Sequence, residues 1–580
     1  MYTLRRVIMI KNYYAKLFQR NARGGMTVIK KKTRKGVSLV LAGLLMLSLT
    51  ACGSQAGGSG GAAGTPGSSA TPVVQESGTP AVENFNLEGY PIVNTPVTIT
   101  VAGPLNALTP TWKGLNLFEH FTEKTGIAFA FDEYSADAWG EKKPLLFASD
   151  DLPDLFISAG FTAKELADYG GQGQLVALNS LIESYGAEIK NAFSEIPDAK
   201  ALSTSSDGNI YGLPLINQIP RDMHRRYWIN TVWLDNVGLD VPQTLDDFYE
   251  VLKAFKEQDA NGNGDKDDEI PLSGQNGYGV DGLILNALGL NSSASDYQII
   301  AGNDGTVVCM NTTEEYKEYL KYMNRLYKEK LLDNDFLIQT QEQLNAKGEA
   351  NTLGVFNSSA SYVTCGTEIG FNYTQFDALT SSLNSTKMVT STPGVHIGVS
   401  AITSVNKYPE ATFRLLDYCF SEDGSIVNRN GEENVGWRWV DKAAGTWENK
   451  QPGSEDATLK LREEVTAINS FPSWYRVDYQ LGQGSKNALW LNEMTAQFSY
   501  PYFIAQYPVL SFTDEQLAKI APVENDVSTY IKEARARFII GEDDIDKTWD
   551  AYVQTIEKMG IGTVVEINQQ AYNNYLEAKK

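Results

Sequence analysis

Between residues 96 and 160 the chain switches repeatedly between a two-residue period and a helical one, a pattern that few folds accept. Pro96-Val97-Thr98-Ile99-Thr100-Val101-Ala102-Gly103 is β-branched and alternating, which predicts a first strand. Leu115 to Thr125 is spaced as a helix, and Ile127-Ala128-Phe129-Ala130-Phe131 predicts a second strand. A further helix ends over Leu146 to Ser149, and Leu152 to Gly160 supplies a turn and a buried strand. Strands alternating with helices build a mostly parallel α/β sheet. Such sheets bind ligands beyond the carboxyl ends of their strands, so the loops after Ala102 and Ile157 are candidate binding loops. Downstream, Thr244 with Asp247 three residues on predicts a capped helix that buries Phe248, Leu252 and Phe255. Thr312-Thr313-Glu314-Glu315 repeats that logic ahead of Tyr316, Leu320, Met323 and Tyr327, and Pro409 to Tyr418 is another helix.

The amino terminus has a different character. Residues 1–51 hold 11 Lys and Arg and no acid, which leaves 38 basic against 71 acidic residues in the rest, a net of −33. A body that acidic repels phosphate backbones, which argues against a nucleic-acid partner. The basic run Lys30-Lys31-Lys32-Thr33-Arg34-Lys35 precedes an apolar stretch from Val37 to Leu49. That stretch falls short of the roughly 20 residues a bilayer span needs. It predicts a secretory signal over 1–51, with Met26 as a candidate start. Leu49-Thr50-Ala51-Cys52-Gly53 resembles the bacterial lipobox, in which the cysteine receives the lipid and becomes the new terminus. Residues 53–80 lack apolar bulk, so 52–94 is expected to be a flexible linker with a reach of roughly 30 Å. With Cys52 lipidated, Cys309, Cys365 and Cys419 allow one disulfide at most. Those counts and only three histidines exclude disulfide scaffolds, zinc ribbons and multi-histidine metal centres.

Asp259-Ala260-Asn261-Gly262-Asn263-Gly264-Asp265-Lys266-Asp267-Asp268-Glu269 sets oxygen side chains at alternate positions with glycines to bend the loop. That suits a hard cation taking six to eight oxygens. Against an EF-hand loop, positions one, three and five are filled and Gly264 stands at six, but the twelfth is Ile270. Asp268 or Glu269 would have to replace the missing glutamate, and which of Asp267, Asp268 and Glu269 coordinate stays open. The plain alternative is an acidic, solvated turn.

Tryptophans are the second constellation. Sugars present apolar C–H faces that stack on flat rings, while their hydroxyls need a few fixed polar partners. Trp112 follows the first strand and Trp139 the second; Trp228 follows Arg225-Arg226; Trp437-Arg438-Trp439 follows a glycine; Trp474 follows a proline turn. For any one of these rings core packing is as good a reading as ligand contact, and Trp233 is assigned to core. Ser158 at a strand end, Asp207, Arg225 and Arg226 are the polar candidates, with surface ion pairing as the alternative for both arginines.

Several blocks occur in a telling order. They are Ala148-Ser149-Asp150-Asp151-Leu152-Pro153-Asp154, Asp207-Gly208-Asn209-Ile210-Tyr211-Gly212-Leu213-Pro214 and Trp233-Leu234-Asp235-Asn236-Val237-Gly238-Leu239-Asp240-Val241-Pro242, then Phe538-Ile539-Ile540-Gly541 and Trp549-Asp550-Ala551-Tyr552-Val553. With them the chain resembles the family 1 extracellular solute-binding proteins, lipoproteins that feed oligosaccharides to ABC importers. The resemblance implies a two-lobed, periplasmic-binding-protein-like (type II) α/β fold with a hinge and a central ligand cleft. Lobe one is expected over 95–213 with 395–440, and lobe two over 214–394 with 441–580. Crossings are expected near Tyr211–Leu215 and Val395–Ile402. Family members often carry a basic residue just before the Trp-Leu-Asp block; here Ile229-Asn230-Thr231-Val232 stands there, which moves that contact to Arg225 and Arg226. Long-chain relatives hold a structural calcium in a loop like 259–269. The implied protein is a monomer, anchored by lipid to the outer face of the bacterial cell membrane, that binds an oligosaccharide and meets importer permease subunits. No Gly-x-Ser-x-Gly elbow, phosphate loop or His-Glu-x-x-His helix occurs, so no enzyme is expected. A polysaccharide-degrading surface lipoprotein and a ligand sensor for a membrane kinase are the rival readings.

Overall fold

The protein is described by a computed structural model that covers residues 84–579 except 107–108, 276–278, 303 and 451–460. The signal, Met26 and Cys52 lie outside the described residues. Residues 84–580 form one compact unit. Two sheets organise it.

The larger sheet has six strands in the order Ser473–Tyr475, Leu213–Asn217, Val395–Ile402, Leu155–Phe156, Val97–Pro104, Ile127–Tyr134. All run the same way except Val395–Ile402, which is antiparallel to both neighbours. The predicted first and second strands are therefore neighbours in register, Val97 opposite Ile127. Helix Ala136–Ser149 lays Trp139, Leu146 and Phe147 on this sheet, where they meet Phe156, Phe161 and Tyr211. The third strand keeps only two residues because the backbone turns at Ser158, whose φ is 52° and whose N–H donates to the Ser470 carbonyl at 2.7 Å.

The smaller sheet runs Tyr373–Gln375, Tyr227–Asn230, Leu353–Asn357, Ile270–Leu272. Its core is the larger one. Trp233, Phe248, Leu252 and Phe255 pack with Leu320 and Met323, and the last three helices, Asp514–Ile540, Ile545–Lys558 and Ile561–Ala578, close over them through Ile531, Phe538, Trp549 and Val564. Thr244 and Asp247 form the expected reciprocal cap, the Asp247 N–H donating to Thr244 Oγ1 at 3.0 Å and the Thr244 N–H to Asp247 Oδ2 at 3.1 Å. Thr313 caps the next predicted helix by accepting from the Tyr316 N–H. Among the described residues no helix is long and apolar enough to cross a membrane.

Three expectations need correction. The linker does not extend to residue 94, because Ile92 and Val93 are buried and their N–H groups donate to the Thr125 carbonyl. The boundary at 213/214 cuts the strand Leu213–Asn217, and Ser473–Tyr475, expected with lobe two, pairs with that strand in the larger sheet. Tyr211–Leu215 and Val395–Ile402 read as crossings because they are apolar and β-branched, but those properties belong to the buried strands from which the crossings depart. Cys309, Cys365 and Cys419 are free and buried, and burial pushes the Cys309 and Cys365 thiols up to about 12.

One buried ion pair fastens the carboxyl-terminal helices to the smaller sheet's core. Arg535 Nη2 donates to Asp281 Oδ1 at 2.9 Å, and Asp281 also accepts from Ser295 Oγ at 3.0 Å, from the Gly279 N–H at 2.8 Å and from Tyr319 Oη. Burial works to raise the Asp281 carboxyl, yet Arg535 and these donors hold it below the ordinary carboxylate range. Arg535→Met strands the carboxylate and is expected to cost about 3–5 kcal/mol in urea unfolding, with partial recovery when Asp281→Asn is added. An unchanged midpoint in Arg535→Met would show that the pair does not hold these helices.

Candidate ligand-binding site at the carboxyl edge of the larger sheet

Because five strands share a direction, their carboxyl ends gather on one edge, and every passage to the smaller sheet starts there. The chain leaves after Asn217 and enters the smaller sheet at Tyr227. It returns through 392–394 to Val395, at the same edge since that strand is reversed, and leaves again after Tyr475. The first two passages are laced together. The Asn217 N–H donates to the Gly394 carbonyl at 2.7 Å, Gln218 Nε2 to the Pro393 carbonyl at 2.6 Å, and the Thr392 N–H to the Met223 carbonyl at 2.7 Å. Gly394, at φ 65°, is required here: a Cβ would stand 2.1 Å from the Asn217 oxygen. Arg221 ties the first passage to the third, donating to Asn492 Oδ1 and Gln483 Oε1 at 3.2 Å each.

Asp222 lies among the guanidinium groups at this junction. Its carboxylate is 3.4 Å from Arg429, 3.7 Å from Arg221 and 4.0 Å from Arg226, and its side chain is 29 % exposed. Burial works to raise this carboxyl, but Arg429, Arg221 and Arg226 hold it below its ordinary value. Arg429 comes from the helix Glu422–Asn430 beside the larger sheet and rests on the Tyr475 ring at 4.6 Å. Arg226 reaches the Ser359 carbonyl of the other side, and its Nε, buried, has no hydrogen-bond partner. One carboxylate thus joins arginines from both sides of the junction.

The expected site residues fall around this edge unevenly. Trp474 is the middle residue of the outermost strand, and the Arg476 guanidinium covers its ring at 3.9 Å. Trp437 and Trp439 lie on a hairpin, Trp437–Asp441 with Thr446–Asn449, and form one cluster with Trp447 and Tyr479 just past the third passage. Trp228 is fully buried in the smaller sheet and stacks on Trp490 at 5.0 Å. Trp139 is core, its indole N–H donating to the Ala159 carbonyl at 2.9 Å. Trp112 is fully buried against Phe118 and Phe131, with no partner for its indole N–H. Asp207 is exposed and organises its own turn through the Asn209 N–H at 2.9 Å and Tyr211 Oη at 2.7 Å. Arg225 is exposed. Asp222, Arg429, Trp447, Tyr479 and Trp490 escaped the sequence reading; Arg221-Asp222 next to Arg225-Arg226 was the local sign of a charged junction.

The loop at 259–269 is well ordered by its own groups. Asp259 Oδ2 accepts from the Gly264 N–H at 2.9 Å, Asn261 Oδ1 from the Asn263 N–H at 2.9 Å, and Asn263 Oδ1 from the Asp265 N–H at 2.7 Å. Asp265 Oδ1 accepts from the Asp267 N–H at 3.1 Å, and Gly262 and Gly264 take φ of 74° and 92°. Glu269 is 2 % exposed, and burial pushes its carboxyl above the ordinary range. Two carboxylate oxygens, Asp259 Oδ1 and Glu269 Oε2, are buried without any hydrogen-bond donor. Such orphaned oxygens fit a cation-binding loop. Among the described residues, no three His, Cys, Asp or Glu side chains gather as a metal cluster, so the amide oxygens of Asn261 and Asn263 would have to complete the set.

Two α/β sheets with separate cores, joined by passages at one sheet edge, define a two-lobed type II solute-binding fold with a hinge and a central cleft. The family model for bacterial extracellular solute-binding proteins matches residues 115–425, and the chain belongs to that family. It is similar to the fructooligosaccharide ABC transporter substrate-binding protein FusA of Streptococcus pneumoniae serotype 4, 29 % identical over 523 residues, 86 % of this chain and 94 % of FusA. Lipoprotein LipO of Bacillus subtilis is 29 % identical over 458 residues, 73 % of this chain and 82 % of LipO. The solved structure of S. pneumoniae FusA in complex with kestose matches with a TM-score of 0.70 and 27 % identity, covering 83 % of this chain and 100 % of that one. A FusA EF-hand mutant in complex with fructo-nystose matches with a TM-score of 0.70 and 26 % identity over the same shares.

The depressed Asp222 carboxyl fixes a pH dependence. Its contribution to stability is fully present above the unfolded value of about 3.9 and disappears as pH falls through the lower folded value. Asp222→Asn should therefore melt below wild type at pH 7, with the gap narrowing as the pH drops below about 4. A gap that does not change with pH would mean that the charge on Asp222 does not hold the junction.

Proposed function

We propose that this protein captures an oligosaccharide between its lobes and delivers it to an ABC importer. The observation that carries the reading is the likeness to FusA over nearly the whole of both chains, together with the structural match to FusA holding kestose. The first lobe is residues 84–217 with 395–475, and the second is 227–391 with 486–580. The passages between them act as the hinge. A sugar that touches both lobes does so only when they are closed, so binding shifts the population toward the closed state. Trp474 and Trp439 supply rings near the edge, with Trp437 and Tyr479 buried beneath Trp439 as its support, and Ser158, Asp222, Arg225 and Arg226 supply polar partners for hydroxyls. Trp112, Trp139, Trp228 and Asp207 serve as supports for the lobes and turns rather than as ligand contacts.

The remaining parts of the reading concern location and metal. The likeness to LipO supports a lipid anchor at Cys52 on the outer face of the membrane. The protein acts there as a monomer. The orphaned oxygens of Asp259 and Glu269 and the EF-hand named for FusA support calcium in the 259–269 loop. Calcium there would neutralise buried carboxylates and brace the second lobe. The protein binds without turnover.

The test is thermal melting with kestose, longer fructo-oligosaccharides and a panel of other plant and microbial oligosaccharides, each hit followed by chromatography of the sugar. A true ligand at a hundred times its Kd should stabilise the protein by about 2.7 kcal/mol and remain intact. Cleaved sugar would overturn the binding reading, and silence across the panel would overturn the oligosaccharide.

A further inference from the structure

We infer that Asp198, Tyr575 and Lys579 form a latch between the lobes, which favours the open state and breaks when the cleft closes. The inference rests on the closure reading above and adds a regulator of it, built from residues outside the cleft and outside the passages.

Helix Pro197–Ser203 belongs to the first lobe and helix Ile561–Ala578 to the second. Tyr575 Oη donates to Asp198 Oδ1, and Lys579 Nζ stands 2.7 Å from the same oxygen. Lys579 Nζ also donates to Tyr575 Oη at 3.3 Å, which closes the triangle. Asp198 and Tyr575 are 377 residues apart in the chain, so only the placement of the two lobes brings them together.

The second lobe is prepared for this contact. Tyr575 stacks on Tyr572 with ring centroids 6.1 Å apart, Tyr572 meets Tyr507 at 5.3 Å, and Tyr507 Oη donates to the Asn568 carbonyl at 3.2 Å. This column of rings holds the Tyr575 hydroxyl toward the first lobe at little entropic cost. The first-lobe side is tied to the hinge. Helix Pro197–Ser203 packs on the strands Leu213–Asn217 and Val395–Ile402, which carry the first two passages. Neither helix of the latch carries a residue offered to the sugar: Ser158, Trp439 and Trp474 stand on other elements, and Asp222, Arg225 and Arg226 follow the strand Leu213–Asn217.

The contact therefore lies beside the hinge strands and not across the mouth of the cleft. Lobes that turn about the passages to shut one side part on the other, so closure draws Tyr575 and Lys579 away from Asp198. Hydrogen bonds hold over only about 2.7–3.2 Å, so a parting of about 1 Å breaks the triangle. Asp198 and Lys579 are both partly exposed, and water solvates them again once they separate. Such a contact breaks easily and suits a group made and unmade in every binding cycle. Whatever the latch contributes to the open state is subtracted from the apparent affinity for sugar.

The test is small-angle X-ray scattering of the full-length protein without sugar, followed by calorimetric titration with kestose, for wild type, Tyr575→Phe and Asp198→Lys. Tyr575→Phe removes one hydroxyl and keeps the column of rings; Asp198→Lys sets two ammonium groups against each other. Before sugar is added, both variants should have a smaller radius of gyration than wild type. Both should bind kestose more tightly, Asp198→Lys by about fivefold or more, and all three proteins should scatter alike at saturation. A contact that is merely structural would lower the melting temperature and leave radius and affinity unchanged, which would overturn the latch. A larger radius or weaker kestose binding would also overturn it, because the contact would then belong to the closed state. If kestose binds none of the three proteins, a different sugar is the ligand and the sugar-free radius alone decides.

Discussion

The junction at Asp222 is the constraint on which the rest depends. Arg221 and Arg226 of the first passage converge with the distant Arg429 where that passage leaves the larger sheet, and one carboxylate holds them together. Without it, the two passage arginines and Arg429 would meet with no anion between them. The lacing around it, from Gly394 to Asn217 and from Arg221 to Asn492, limits how the passages can move. A hinge built this way bends as a unit, because its peptides share hydrogen bonds rather than running separately.

The sheet's own direction explains why ligand and hinge coincide. Parallel strands send their carboxyl ends to one edge, and the passages must leave from there to reach the second sheet. Ser158, with its left-handed backbone, and Trp474 with Arg476 belong to that same edge. The smaller sheet, its large core and the Asp281–Arg535 pair tie the second lobe's helices into one packed body.

How much of this the sequence disclosed depends on range. Thr244 and Asp247 are three residues apart, so their reciprocal cap was legible, and so was the strand at Val97, whose alternation is local. The turn at 259–269 was legible for the same reason, since Asp259, Asn261 and Asn263 accept from backbone N–H groups only two to five residues away. Asp222 was not legible because its partner Arg429 lies 207 residues away. The aromatic candidates divided for a related reason. A tryptophan after a strand can turn inward, as Trp112 and Trp139 do, or stay at the rim, as Trp474 does, and the choice is made by neighbours distant in the chain. Lobe boundaries were misplaced because a crossing has no pattern of its own; the signal belongs to the strands on either side.

The central claim is that the two lobes close on a sugar about the laced passages. Small-angle X-ray scattering of the protein, with and without a bound oligosaccharide, tests it most directly. The account predicts that the radius of gyration falls on binding and that the fall saturates with occupancy. A bound sugar that leaves the scattering unchanged would contradict closure as the mechanism of capture.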